Sequence, residues 1–253
     1  MGDIFQAHQM KKGLHPPISL DQKFGINSAL TTSYLPVSFG GIYRTPQVSG
    51  ALPLRIKAGN ANDDVAGSGA QEVTLVGLDT DGNEQVVPLA TAGTSASAAS
   101  ANSFLRFYRA FVSKSGTYSN LATLSHAAAI VIEDTGGTVW GTIDATTIAR
   151  GQTQIGCFTV PLGYVATVDD GVITPDTNGA VDLVFFKRES ILDAAAPYQA
   201  VRFVEDWVGV DSPITLDSGI DGLFPELTDI GFLAKRSSPA SVSVTFSIAK
   251  SKK

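Results

Sequence analysis

The sequence predicts an all-β protein, a β-sandwich or jelly-roll-like region preceded by a long extended N-terminal arm. Three observations carry that expectation. Short apolar runs rich in β-branched and aromatic residues recur at regular intervals between Gly, Pro, Asn and Asp punctuation, the spacing of sandwiches and barrels. Residues 241–249, SVSVTFSIA, alternate cleanly, with Val242, Val244, Phe246 and Ile248 on one face. Helical periodicity is scarce: residues 189–196 and 145–150 are the best candidates, each one or two turns. No repeat of fixed period occurs, which argues against a solenoid or propeller.

The clearest local signal is a hairpin within residues 67–89. Two apolar runs, 73–78 and 86–89, flank Asp79-Thr80-Asp81-Gly82-Asn83. Asp81-Gly82 fits a tight turn, because such turns need positive φ and Gly and Asp tolerate it. Pro88 cannot donate to a ladder, so the return strand is expected to be an edge or to end there.

Residues 1–53 show no sustained period of two or 3.6 residues, and Pro16-Pro17, Pro36, Gly40-Gly41, Pro46 and Pro53 break them into pieces. Their aromatics are too many for a solvated tail. They are expected to form an arm lying across other surfaces, its own domain's or a neighbouring subunit's. Phe5, Phe24 and Tyr34 would be its interface anchors, since buried aromatics tend to carry much of an interface's energy. Residues 43–45 and 52–58 read as short strands. Residues 54–253 form the sandwich region, as one body or as two small β subdomains split near 90–103. There, the low-complexity run TAGTSASAASAN has the composition of a linker. Residues 104–112, FLRFYRAFV, read as a strand in preference to a short helix. Further strands are expected at 129–133, 138–143, 154–160, 164–168, 181–187, 201–210 and 227–234.

Composition excludes several function classes. A chain of 253 residues buries roughly three quarters of its unfolded surface and needs no covalent staple. The net charge of −6 disfavours a nucleic-acid coat, so no direct nucleic-acid partner is expected. Lysines gather near both ends (Lys11, Lys12, Lys23; Lys250, Lys252, Lys253) and read as solvated tails. No apolar run approaches the roughly 18 residues of a membrane span, and no secretory signal opens the chain, so a soluble product made without export is expected. The one cysteine, Cys157, rules out an internal disulfide and a cysteine zinc site, and reads as a buried small hydrophobe.

The search for chemistry is short. Asn60, Asn62, Asp63 and Asp64, or Asp79, Asp81 and Asn83, offer oxygen ligands for calcium, but neither stretch continues as a calcium loop, and Asx turns account for both. No metal or cofactor is expected. His8, His15 and His126 lack an H-x-x-x-H partner. No G-x-S-x-G elbow or phosphate-binding glycine loop occurs. Asp169, Asp170, Glu205 and Asp206 sit near aromatics, but acids at strand ends are commonly turn formers. Trp140 and Trp207 lie inside strand candidates, where packing is expected before sugar stacking. No catalytic residue is assigned, and the protein is expected not to be an enzyme.

Scattered motifs across about residues 52–249 resemble a family of structural proteins of tailed bacteriophages, common in aquatic phages. They are Gly69-Ala70-Gln71 through Val73, Gly77-Leu78-Asp79, Glu84-Gln85, Phe104 to Tyr108, Gly151-Gln152-Thr153, Val160-Pro161-Leu162-Gly163, Glu226-Leu227-Thr228-Asp229-Ile230 and Val242-Ser243-Val244. The resemblance implies a virion component assembled in the host cytoplasm, forming or decorating the head, neck or tail. Its partners would be copies of itself, as a homo-oligomer, and other virion proteins, with no membrane involved. A receptor- or glycan-binding module of the same virion, fibre- or spike-like, is the alternative reading. The arm lies outside the resemblance.

Overall fold

The computed structural model describes residues 18–45, 50–116, 125–145, 151–175, 179–193, 195–216, 219–236 and 240–253. Within them the chain is nearly all β. The strands in order are β1 (Ile18–Asn27), β2 (Leu35–Pro36), β3 (Leu52–Ala58), β4 (Ala70–Leu78), β5 (Glu84–Ala90), β6 (Ser103–Phe104), β7 (Arg106–Ser115), β8 (Ile130–Asp134) and β9 (Val139–Ile143). There follow β10 (Cys157–Thr159), β11 (Tyr164–Pro175), β12 (Val181–Arg188), β13 (Arg202–Val210), β14 (Ile214–Leu216), β15 (Ile220–Phe224), β16 (Asp229–Lys235) and β17 (Val242–Lys252). Every strand pairing described is antiparallel.

The strands divide into two compact units, and the division differs from the one the sequence led us to expect. One unit joins residues up to Val37 with Gly156–Ile191 and Pro197–Lys253; the other holds Ser38–Ile155 and Leu192–Ala196. Of the expected arm, residues 1–17 and 46–49 lie outside the described residues, and the stretch Ile18–Val37 belongs to the first unit. Ile18–Asn27 pairs along its whole length with β17, from Ile18 opposite Ser251 to Asn27 opposite Val242. No apolar alternation marks β1 in the sequence, because its buried positions are Lys23, Gly25 and Asn27. Asn27 is held there by donating to Pro36 O (3.0 Å) and accepting from Ala29 N (3.0 Å).

In the second unit, the sheets are β6-β3-β8-β9 and β5-β4-β7. Leu54, Ile56, Leu75, Leu78, Ile130 and Ile132 are at most 1% exposed and form its core. The hairpin lies where the sequence puts it. Asp79 Oδ1 accepts from Asp81 N and Asn83 N, both at 2.9 Å, and Gly82 takes φ +85°. β5 is the edge of its sheet, with Pro88 opposite Thr74. No subdomain boundary falls at 90–103. Small side chains let this run lie along β3: Ser97 N and Ser100 N donate to Ile56 O (2.8 Å) and Leu54 O (2.7 Å). Their hydroxyls accept in return from Ile56 N (3.1 Å) and Leu54 N (3.0 Å). The 104–112 stretch is extended, as read, but divides into β6 and β7 at Leu105, whose N–H donates to Leu78 O (2.9 Å).

The first unit packs sheet β1-β17-β11, with β14 and β15 on β11, over sheet β10-β16-β12-β13, with β2 also on β16. Phe246 of β17 meets Phe232 of β16 at 5.2 Å between ring centroids, and Phe185 of β12 lies 5.0 Å from Phe232 and 5.7 Å from Phe224. Edge-to-face rings of this kind add to plain area burial. The expected helix at 189–196 does not form: Ser190 takes φ +57°, and Ile191 N donates to Leu227 O (3.2 Å), fixing a turn. Of the other candidate, residues 146–150 lie outside the described residues.

Two glycines test this architecture. Gly82→Val should lower stability by roughly 1 kcal/mol, the cost of a β-branched residue at positive φ. Gly25→Ala should cost more, on the order of 1–3 kcal/mol, because overpacking forces the backbone to move. Its added Cβ would fall 2.1 Å from Val37 O and 2.6 Å from Gly156 Cα. Urea unfolding midpoints measure both, and an unaltered Gly25→Ala midpoint would remove β1 from the core.

Candidate interaction surface

Strand β13 ends the sheet β10-β16-β12-β13. Its sequence, RFVEDWVGV, pairs with β12 through a ladder interrupted by two register shifts. Trp207 packs 5.8 Å from Phe232 and anchors the strand on the core. Among the described residues, no backbone–backbone hydrogen bond joins β13 to any segment other than β12. One row of its main-chain polar groups is thus free to pair with another strand, a feature sheets commonly blunt or cover.

The edge is also apolar where it meets solvent. Phe203 is 56% exposed and Val208 74%. Tyr34 stands edge-on to Phe203 at 5.7 Å, and Lys235 Nζ lies 4.6 Å from the Tyr34 ring centroid. Charges frame the strip. Arg202 pairs with Glu189 (2.7 Å), which also takes Lys187 (3.1 Å), and these contacts hold the Glu189 carboxyl below its ordinary range, the Lys187 hydrogen bond first. Asp182 accepts from Gly209 N (2.9 Å). Glu205 and Asp206 lie between, on β13 itself. Sequence reasoning named the strand but not its exposure, since a free edge is a property of sheet order.

The three anchors expected of an arm fall out separately. Phe5 lies outside the described residues, and Phe24 is half-buried on β1 opposite Thr245 of the same chain. Tyr34 is half-buried and belongs to the β13 strip.

The other candidate sites resolve into local structure. Asp63 is fully buried, its carboxylate accepting from Ala70 N (2.9 Å), Ala127 N (2.8 Å) and Ala128 N (3.0 Å). Asn60 and Asp64 each accept from the backbone two residues on. These oxygens face N–H groups, the Asx-turn chemistry that competes with a metal. Among the described residues, no three His, Cys, Asp or Glu side chains group as metal ligands. Asp169 and Asp170 are exposed on β11, in the opposite sheet from Glu205 and Asp206. Trp140 is 2% exposed and donates Nε1 to Asp134 Oδ2 (3.3 Å), below an open cleft of about 490 Å³ lined by Tyr43, Arg44, Leu52 and Thr138. Burial would raise the Asp134 carboxyl, but donors from Thr138, Trp140 and Gly136 together hold it low. Cys157 is fully buried, and burial pushes its thiol far above the ordinary range, so it is no nucleophile.

A second buried polar group occupies one end of the first unit. Asp229, 0% exposed, accepts from Thr159 Oγ1 (2.8 Å) and Arg188 Nη2 (2.6 Å). Lys23 and Lys250 both lie over the Phe158 ring, at 6.0 and 5.6 Å, and Lys250 pairs with Asp21 (2.7 Å). Buried charges persist only when paired, as Asp229 is with Arg188 and Lys250 with Asp21.

His126 gives a pH dependence. It is 1% exposed; its Nε2 donates to Asp144 O (3.2 Å), which leaves Nδ1 to accept from Ser125 Oγ (2.8 Å). Burial pushes its pKa below the ordinary 6.5. The neutral ring therefore contributes stability that is complete above pH 6.5 and is lost as pH falls through the folded-state value. The urea midpoint should fall between pH 7.5 and 5, and His126→Asn should flatten that fall. By contrast, a chelator should leave the midpoint unchanged, and Asp63→Ala should cost about 3 kcal/mol through its unsatisfied buried donors.

No family model and no curated protein matches the sequence. Among solved structures, a chain of infectious bursal disease virus, Gt strain, is 8% identical with a TM-score of 0.21, covering 94% of this chain and 76% of that one. A chain of the Gx strain of that virus is 11% identical with a TM-score of 0.25, covering 92% and 70%. A chain of T=1 particles derived from infectious bursal virus is 7% identical with a TM-score of 0.22, covering 93% and 74%. Scores of this size establish no shared topology, and no functional reading is taken from them.

Proposed function

We propose that the chain is a non-enzymatic structural subunit of a tailed-bacteriophage virion, assembling through subunit–subunit contacts into the head, neck or tail. The observation that carries the reading is the β13 edge: a nine-residue strand with a free main-chain row and two apolar side chains more than half exposed. Such an edge is an aggregation hazard for a free monomer and an asset for a subunit that meets neighbours. The phage-like motifs in the sequence support the same reading. The fibre-like alternative draws no comparable support, because Trp140 is buried and Trp207 packs against Phe232.

Phe203→Lys combined with Val208→Lys removes the apolar strip at solvent-facing positions. The doubly substituted protein should keep its circular dichroism spectrum and urea midpoint while its incorporation into gradient-purified particles drops about tenfold. Incorporation equal to that of the native chain would end the proposal for this surface. Absence of the native chain from purified particles would end the virion reading altogether.

A further inference from the structure

We infer that the outer face of the sheet β1-β17-β11-β14 carries a binding site for an uncharged sugar, centred on Asp170. The inference is independent of the virion reading and concerns a surface that reading leaves unused. Sheet register assembles the site. Gln22 of β1, Ser247 of β17 and Asp170 of β11 stand opposite one another in one row across the sheet. Two residues along, Phe24, Thr245, Val172 and Thr215 form the next row. The other face of these strands holds the buried Val244, Phe246 and Ile173, so both rows look outward.

A bulge decides which acid belongs to the site. The ladder between β11 and β17 shifts register between Val168 and Asp170. Unbroken alternation from Thr167 would set Asp170 on the core face. The shift brings it outward instead, the re-aiming of a side chain that bulges provide. Asp169 accepts from Thr167 Oγ1 (2.9 Å). Asp170 and Gln22 are exposed, and among the described residues the side chains of Asp170, Gln22, Thr215 and Thr245 make no hydrogen bond to the protein. These four line a depression of about 390 Å³, with Gly171, Leu216 and Phe246 beneath and the 40% exposed Val172 at its side. That size suits a small-molecule site.

The chemistry selects the ligand. One carboxylate, one amide and two hydroxyls offer acceptors and donors in one place, and no Lys or Arg stands in either row. An anion would meet Asp170 with no cation to offset it. A calcium ion asks for roughly six or more oxygen ligands and finds one carboxylate. A sugar satisfies the set. Its adjacent hydroxyls donate to the two oxygens of Asp170, while Gln22 and the threonines exchange hydrogen bonds with the remaining ring substituents. Val172, with Phe24 one strand beyond Thr245, offers apolar cover for the ring, so the site needs neither tryptophan. Side chains held on strands keep such a geometry better than side chains on loops.

The test is an amide NMR titration of the purified full chain with the methyl glycosides of glucose, galactose, mannose and N-acetylglucosamine. At least one should shift the amides of Gln22, Asp170, Val172, Thr215 and Thr245 together, with a dissociation constant in the millimolar range. Asp170→Asn keeps the shape, removes the charge and should weaken that sugar about tenfold. Thr215→Val combined with Thr245→Val should weaken it about fivefold or more. The urea midpoint of each variant guards against misfolding. No shift from any of these sugars at its highest soluble concentration, or shifts at other surfaces only, overturns the inference. Binding that Asp170→Asn leaves unchanged overturns the assigned site. A lysine-rich peptide that shifts these amides where no sugar does makes the occupant a basic segment and overturns the inference as well.

Discussion

The first unit depends on a close approach that only glycine permits. Gly25 of β1 and Gly156, just before β10, belong to opposite sheets of the sandwich, and a Cβ on Gly25 would sit 2.6 Å from Gly156 Cα. Val37 runs through this crossing, fully buried, donating its N–H to Phe232 O (2.9 Å) and accepting from Gly156 N (2.9 Å). Phe232 N in turn donates to Gly156 O (3.0 Å). Side chains at these positions would hold the sheets apart and leave buried main-chain groups unpaired, which costs more than the contacts themselves provide. The consequence is topological. The early strand β1 can close against the last, β17, so the beginning of the described chain and its second half form one core.

That closure also explains the charges inside. Residues pointing inward near the end of β1 and β17 include Lys23 and Lys250, whose ammonium groups lie against Phe158, and Lys250 also meets the Tyr164 ring at 5.7 Å. Asp229 answers with Arg188 and Thr159 from neighbouring strands. Such a network contributes little net stability over apolar packing but penalises any register in which its members part. The aromatic centre around Phe185, Phe232 and Phe246 supplies the driving force, and the polar end constrains how the strands align.

The free edge has the opposite character. Inside the sheet, β12 is buried from Val181 to Phe186 at most positions, whereas β13 is exposed or half-buried at every position but Val210, with two breaks in its ladder. Bulges and charges on an edge discourage indiscriminate pairing, yet Phe203 and Val208 remain in water.

The sequence alone determined the fold class and most strands, because alternation in SVSVTFSIA and the β-branched runs reports a pleated, half-buried surface directly. It also determined the Asp79–Asn83 turn, since positive φ at Gly82 and the Asp79 side-chain bonds are local chemistry. The interior position of Cys157 was equally legible from its apolar neighbours. Other features were decided by contacts distant along the chain. β1 was invisible because its buried face is Lys23, Gly25 and Asn27, chosen for an aromatic ring, a glycine crossing and a carbonyl that other segments supply. The run at 90–103 has linker composition, yet its serines bond to β3 about forty positions away in the chain. Likewise, nothing in RFVEDWVGV distinguishes an edge from a central strand. Sheet order makes that distinction, and sheet order is fixed only when the whole core has formed.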